Sequence, residues 1–547
     1  MRTNLSFLLL CIFVSSFCHA AYAGRWHVNI ENPTLPVLAL KANNPVYKIE
    51  IIRNEVPDAI IEHIDFSLAG TTNLSDIKAL KLFEADRNDR FSDKTQWSIV
   101  SSLSENVRFP LNRSLNSDTV VLWLSIQLND VVALTNRIGI ECTGIRASGQ
   151  RLQLPDSVTS LLRVGVALRQ HKQDQIDTYR IPGLATTKKG TLLAVYDGRV
   201  EYSRDLQGDI DIVMNRSEDG GKTWDKLQTV LDMGEWGNLP QKFNGVSDAC
   251  ILVDDTNGDI YVAGLWMHGV LDHKTGKWIT DLDQNSNAWQ HQWQGRGSQP
   301  GTDVKQTCQF LITKSTDDGL TWSEPTNITS ATKRNEWWLY APAPGHGITL
   351  KDGTLVFPTQ GRDENGLPFS NITYSKDKGK TWHASNPAYS DVTECMAVEL
   401  TDGSIMLNMR DNRNRIKTNE TNGRRICVTR DLGKTWAEHS SSRSALIEPV
   451  CMASIHRHEL MRNGERKSVL FFSNPDSRTE RSRITVKTSF DDGETWPIEN
   501  QVLLDEYVGR GYSCITSVSD GLIGIVYESS QADIVYQQID IADLIPE

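Results

Sequence analysis

Five times the chain returns to one octet: SEDGGKTW (217–224), STDDGLTW (315–322), SKDKGKTW (375–382), TRDLGKTW (429–436) and SFDDGETW (489–496). Each octet reads as a turn between two strands. Its Asp carboxylate can accept backbone N–H groups, its hydroxyls do so more weakly, Gly permits positive φ, and Trp fills space between sheets. A second, looser repeat lies between the octets: an apolar run, a turn on Gly190, Gly258, Gly353, Gly403 or Gly521, then an alternating run. These are hairpin signals. The first four are each followed by an octet, so one unit is strand, Gly turn, strand, loop, strand, octet turn, strand. Antiparallel four-stranded units recurring about every 50 to 100 residues predict an all-β chain built as a β-propeller. The octets then need no catalytic role. "GGKT" mimics the end of a phosphate loop, but the Gly required five positions earlier is missing from every copy.

The same register locates a candidate site. Gly turns and octets fall on one face of such units, and strand ends on the other. Nine or ten residues before a turn glycine stand Arg180, Asp248, Glu394 and Tyr512; seven after it stand Gln360, Arg410 and Glu528, and nine after it Arg199. Arg481 lies eight residues before the last octet. With strands of about seven residues at roughly 3.3 Å each, that end is about 20 Å from the octets. One such charge is an ordinary solvated strand end. Several arginines, acids and a tyrosine at one end suggest an anionic ligand, because a guanidinium offers carboxylate or phosphate a planar fork.

The remaining sequence sets bounds. At 547 residues more than one domain is expected. The net charge of -12 argues against nucleic acid or an anionic membrane as partner and requires a local basic pocket for any anionic substrate. Residues 1–23 read as a signal peptide: one Arg, an apolar run too short to span a bilayer, and Ala21-Tyr22-Ala23 before Gly24. Export to the periplasm or beyond is expected. Seven cysteines follow, an odd number without CxxC spacing, which predicts free buried thiols rather than disulfides or zinc. Residues 24–152 carry no octet but alternate like strands, as in YKIEII (47–52) and TVVLWLSIQL (119–128), and read as a β-sandwich. RASGQRLQLPDS (146–157) reads as the linker before a repeat domain at 165–547. The stretch 285–303 holds Trp289, His291 and Trp293, either a glycan-facing aromatic wall or a loop packed on itself.

TYRIPGL with Arg180, YDGR with Arg199, LNMR with Arg410, FFSNPDSRTER with Arg481, GYSCIT with Tyr512 and GIVYE with Glu528, together with the octets, give the chain a specific resemblance. From about residue 170 to its end it resembles the bacterial exo-α-sialidases, in which the octets are called Asp boxes. The resemblance implies a six-bladed β-propeller that removes terminal sialic acid from glycans, preceded by a β-sandwich with a possible carbohydrate-binding role. It implies that Arg180, Arg410 and Arg481 grip the sialic acid carboxylate and that Glu528 orients Arg180. Arg199 would meet the C4 substituent and Asp248 the acetamido group; Gln360 is a further candidate substrate-binding residue from the strand-end register.

For the chemistry, the resemblance implies Tyr512 as nucleophile paired with Glu394, in place of the carboxylate that most retaining glycosidases use. An anionic nucleophile would be repelled by the carboxylate that the anomeric carbon carries. Asp205, on the loop after Arg199, is the expected general acid/base, with Glu201, Asp209 and Asp211 as alternatives nearby. No motif implies a metal or organic cofactor. Three outcomes share this pattern or most of it: hydrolysis, transfer (including an intramolecular route to an anhydro sugar), and a propeller that binds sialoglycans without turning them over. Linkage preference and oligomeric state are not written in these motifs.

Overall fold

The computed structural model describes residues 26–54, 58–86, 88–156, 159–206, 208–236, 241–268, 291, 297–462 and 464–545. The signal-peptide segment, Trp289 and Trp293 lie outside the described residues. The described chain is almost wholly strand, with two four-residue α-helices, Thr329–Thr332 and Ile541–Leu544. All seven cysteines after residue 23 are free and buried, as their odd number and spacing predict.

The first part of the chain builds two sheets. One runs Trp26–Glu31, Asn44–Arg53, Thr119–Leu128, Ile77–Glu84, Gln96–Val100 in spatial order. The other sets Ile60–Ser67 between Asn106–Ser114 and Arg137–Ala147. Alternation explains the packing: in Asn44–Arg53 the side chains of Tyr47, Ile49 and Ile51 are buried while Lys48 and Glu50 are not. Tyr47 meets Phe66 of the second sheet edge-on at 5.8 Å between ring centroids, and Phe66 meets Phe109 likewise at 5.8 Å. The segment read as a linker opens as a hairpin, since Gln150 and Arg151 fold back on Ala147 and Arg146. Ser148 and Gly149, both with positive φ, make that turn.

From Thr178 onward, antiparallel ladders follow the unit read from the repeats. Thr178–Thr186, Leu192–Arg199, Ile210–Ser217 and Gln228–Leu231 form the first. Gly190 turns its first hairpin at φ 86°, and the octet 217–224 lies between its third and fourth strands. Equivalent ladders begin at Asn244, Leu339, Val392 and Ser454. The Ser454 ladder has a turn that the sequence reading passed over: Gly464, at φ 78°, in RNGER, where charged rather than apolar residues flank the glycine. The last ladder closes differently. Ser513–Ser519, Leu522–Tyr527 and Ile534–Asp540 take their fourth strand from Ser160–Arg169, far earlier in the chain. The first residues of that same strand pair with Arg137–Ala147, so one strand serves both halves of the chain.

The octets are structural. In the first, Asp219 Oδ1 accepts from Ser217 Oγ (2.9 Å) and Thr223 N–H (2.9 Å), its Oδ2 accepts from Thr223 Oγ1 (2.6 Å), and Gly221 N–H donates to Ser217 Oγ (2.8 Å). The other four repeat this net at Asp317, Asp377, Asp431 and Asp491. Hydrogen bonds to the ionised carboxylate hold Asp317, Asp377 and Asp431 down to about 2. Trp224 packs on Tyr536 of the closing ladder (5.1 Å), and Trp382 on Tyr261 of the preceding ladder (6.0 Å), so these two octet tryptophans bind neighbouring ladders together.

Candidate active site

At the strand ends away from the octets lies a cleft of about 330 Å³. Eight of the ten residues singled out from the sequence line it: Arg180, Asp205, Asp248, Gln360, Glu394, Arg410, Arg481 and Tyr512. The other two, Arg199 and Glu528, stand directly behind and hold residues that do line it. These side chains come from several ladders, Glu394 and Arg410 from paired strands of the same one, and are spread over more than three hundred positions of chain.

Three of the first strands carry a β-bulge at the same level, between Arg180 and Gly183, Ser247 and Cys250, and Val392 and Cys395. A bulge breaks the alternation of faces and re-aims a side chain. Arg180, Asp248 and Glu394 sit at these bulges and turn into the cleft. The distortion is real backbone strain: Ile181, a β-branched residue, has φ 61°, and Asp248 has φ 60°. Glu528 braces the first bulge. Its Oε1 accepts from Arg180 Nε (2.5 Å) and Ile181 N–H (2.9 Å), and its Oε2 accepts from Tyr512 N–H (3.1 Å). Burial alone would raise the Glu528 carboxyl, but Arg180 and these N–H groups outweigh it and hold the group below the usual range.

Tyr512, Glu394 and Arg410 form a closed triangle. Tyr512 Oη donates to Glu394 Oε1, Arg410 Nη1 donates to Glu394 Oε2, and the same Nη1 lies 3.0 Å from Tyr512 Oη. The guanidiniums of Arg180 and Arg481 each stand 5.5 Å from the centre of the Tyr512 ring. Burial, reinforced by the Glu394 charge, pushes the Tyr512 phenol well above its ordinary value despite Arg410 and Arg481. The hydroxyl therefore stays protonated, with a carboxylate oxygen of Glu394 placed to accept its proton.

The cations differ in how they are matched. Arg180 is paired with Glu528, and Arg410 with Glu394. Arg481 donates only to backbone carbonyls, Arg510 O at 3.0 Å and Val450 O at 3.3 Å, and forms no ion pair among the described residues. That leaves one guanidinium charge available to an incoming anion. Arg481 stands in the connection before Ile484–Ser489 rather than at the start of that strand, as its spacing had predicted.

Of the four acids near the loop after Arg199, only Asp205 lines the cleft. Arg199 Nη1 holds its Oδ1 at 2.7 Å, and Arg180 Nη1 lies 3.9 Å away. Burial pushes the Asp205 carboxyl up, but Arg199 and Arg180 together hold it below the usual carboxylate range. Asp209 and Asp211 instead share a site with Asp232, where burial and mutual repulsion push them up to about 6 and about 8. Asp248 is buried and its carboxyl is raised well above normal, first by burial and then by Glu394; Gln360 Nε2 donates to its Oδ2 at 3.1 Å. A protonated Asp248 can donate a hydrogen bond to a neutral ligand group.

Sequence reading missed Asp197, which stands inside the quoted YDGR. Fully buried, its Oδ2 accepts from Arg199 Nη2 (2.9 Å) and Ser247 Oγ (2.6 Å), tying the Arg199 strand to the Asp248 bulge. Burial pushes it up to about 6 although Arg199 opposes the shift. The period-two pattern hides it, because both faces of that strand are buried. His291 is no part of an aromatic wall: its Nε2 donates to Lys305 O (2.8 Å) and its Nδ1 accepts from His268 N–H (3.2 Å) in the core.

The chain has close relatives among known proteins. Residues 181–509 match the BNR repeat-like domain, and residues 25–120 match the N-terminal domain of BNR-repeat neuraminidase. A sialidase of Bacteroides fragilis (strain YCH46) is 37% identical over 94% of this chain and 95% of its own length. A sialidase of Micromonospora viridifaciens is 32% identical over 64% of this chain and 50% of its own. Among solved structures, the Hadza microbial sialidase Hz136 superposes with a TM-score of 0.83 at 34% identity, covering 94% of this chain and all of that one. Family match, near full-length identity and superposition agree: the chain belongs to the BNR-repeat sialidases, a family of glycosidases.

Proposed function

We propose that the protein is a retaining exo-α-sialidase that hydrolyses terminal α-linked sialic acid from glycoconjugates through a tyrosine-linked intermediate. The observation that carries this is the Tyr512–Glu394–Arg410 triangle set among Arg180 and Arg481, with Asp205 across the same cleft. The sialic acid carboxylate enters between Arg180, Arg410 and Arg481, where Arg481 has a charge to spare. Arg199 takes the C4 side of the ring, Asp248 with Gln360 the acetamido side, and Glu528 keeps Arg180 and Tyr512 in place. As Tyr512 Oη bonds to the anomeric carbon, its proton passes to Glu394. The glycosidic bond breaks, and Asp205 gives its proton to the leaving oxygen. Water then attacks the anomeric carbon as its bond to Tyr512 Oη breaks, Asp205 takes a proton from the water, and Tyr512 recovers its own from Glu394.

The ladders fit six four-stranded blades of a propeller over residues 165–547, the sixth completed by Ser160–Arg169, behind a β-sandwich over 24–152. Residues 1–23 act as an export signal, which brings the enzyme to sialylated glycans outside the cytoplasm. Product analysis by NMR on α2,3-, α2,6- and α2,8-linked sialosides tests the reaction. Free sialic acid with the α anomer formed first is expected; an anhydro sugar or a new sialoside would replace hydrolysis by transfer, and no turnover would leave a binding protein.

The charge around Asp205 has a consequence for binding. In the free enzyme Arg199 and Arg180 keep it ionised, whereas a general acid must carry a proton. A substrate carboxylate among the arginines offsets their charge and raises the Asp205 carboxyl. Its pKa is depressed before binding and higher after, so between those values the complex holds more protons than the free protein. Calorimetric titration with a non-hydrolysable thiosialoside, in buffers of different ionisation enthalpy at about pH 5, should report net proton uptake, and Asp205→Asn should abolish it. Binding without proton uptake would remove Asp205 from the acid role.

A further inference from the structure

A carboxyl held by a guanidinium rarely carries the proton that a general acid must give, and Asp205 accepts from Arg199 Nη1 at 2.7 Å. How tightly it is held depends on what else that guanidinium meets. Arg199 Nη1 also donates to Ser203 O at 2.9 Å, on the acid loop, while Nε and Nη2 donate to Asp197 Oδ2 at 3.2 and 2.9 Å. One edge of the plane therefore faces a second carboxylate. Asp197 and Arg199 are buried, whereas the Asp205 side chain is 54% exposed. Charges interact more strongly away from water, so Asp197 offsets the larger part of the Arg199 charge.

Asp197 is also fixed from another strand. Ser247 Oγ donates to the same Oδ2 at 2.6 Å, one residue before the bulged Asp248. Besides Arg199, the charged groups at its level are Arg180, opposite it on Thr178–Thr186, and Asp211, opposite its neighbour Gly198 on Ile210–Ser217. Asp248 follows Ser247, and Asp205 acts from the loop. Asp197 itself stands behind the cleft rather than lining it. We propose that Asp197 is a positioning residue for the acid/base step. As a carboxylate it engages one edge of Arg199, and Asp205 is then free to take a proton from solvent and give it to the leaving oxygen. Without that negative charge the whole guanidinium acts on Asp205 and keeps it ionised. Asp197, raised by burial to about 6, is a carboxylate above that value and loses the role as pH falls through it.

This inference rests on the reading of Asp205 as the general acid, and a reference variant separates the two. The test follows kcat/KM against pH for wild type, Asp197→Asn, Ser247→Ala and Asp205→Asn. The substrates are α2,3-sialyllactose and an aryl α-sialoside, whose phenolate leaves with little protonation. At about pH 7.5 Asp197→Asn should lower kcat/KM about 30-fold on sialyllactose and no more than about threefold on the aryl sialoside. The loss on sialyllactose should shrink as pH falls below about 6, because the wild-type carboxyl then takes up a proton and comes to match the amide. Ser247→Ala keeps the charge and removes one donor that favours it. Its loss on sialyllactose should be smaller and recover as pH rises, and this variant carries the test if Asp197→Asn does not fold. A loss equal on both substrates, or the same at every pH, would make Asp197 part of the scaffold and overturn the inference, as would wild-type kinetics in both variants. Asp205→Asn should itself spare the aryl sialoside relative to sialyllactose. If it does not, Asp205 is not the acid, and the inference falls with that reading.

Discussion

Tyr512→Phe should abolish sialoside turnover, lowering kcat by about 10³-fold or more, while the protein folds as before. The substitution removes one oxygen, and that oxygen is the proposed bond-forming atom. The triangle survives its loss because Arg410 still donates to Glu394 Oε2. The Tyr512 ring keeps its place against Arg180 and Arg481, and its backbone N–H keeps Glu528. The loss of one buried hydroxyl should move Tm by only a few degrees. Steady-state kinetics with α2,3-sialyllactose and a thermal melt check both halves. Activity within about tenfold of wild type would transfer the nucleophile to another group. A collapsed melting curve would reassign Tyr512 to the scaffold.

Glu528→Ala should cost both stability and substrate binding. Glu528 is buried and accepts from Arg180 Nε and from the N–H groups of Ile181 and Tyr512. Its removal takes the hydrogen-bonded carboxylate from the half-buried Arg180 guanidinium and leaves two buried N–H donors unmet, a change worth about 3–5 kcal/mol. The bulge at Ile181, held at positive φ, also loses its brace. Equilibrium unfolding in urea should show the lost stability, and KM for sialosides should rise as Arg180 drifts. Glu528→Gln keeps the shape and should retain more stability than the alanine variant but still bind substrate less tightly. The pH dependence follows from the depressed Glu528 carboxyl. Its contribution is present above the unfolded carboxylate value and fades as pH falls through the lower folded value, so the wild-type advantage over Glu528→Gln should shrink in acid. Unfolding free energies of the two proteins that run parallel across that range would contradict this account.

The octets and turn glycines were legible because their physics is local. Asp219 bonds groups two and four residues away, and Gly190 turns a hairpin whose strands adjoin it in sequence. Those offsets also carried the count from each turn to the far strand ends, where Arg180, Glu394, Arg410 and Tyr512 indeed meet. Roles were less legible than positions. Resemblance to a known family, rather than spacing, supplied the expectation that Tyr512 is a nucleophile and Asp205 an acid. His291 stayed open between a ligand-facing wall and a packed loop because Trp, His and Trp in a loop look alike whether they face a ligand or a core; its burial decides it.

The sequence by itself determined the repeating strand unit, the turns that pace it and the end of the strands where chemistry-bearing residues gather. Only the tertiary structure decided which way those residues point and what charge they meet. The bulges that turn Arg180, Asp248 and Glu394 inward break the period-two rule on which sequence reading depends. Their stability comes from partners such as Glu528, 348 positions from Arg180. Closure of the last ladder by Ser160–Arg169 is of the same kind, a contact between distant parts of the chain. Local hydrogen bonds leave a pattern within a few residues, whereas a strained backbone or a buried ion pair draws its energy from packing that no short stretch of sequence contains.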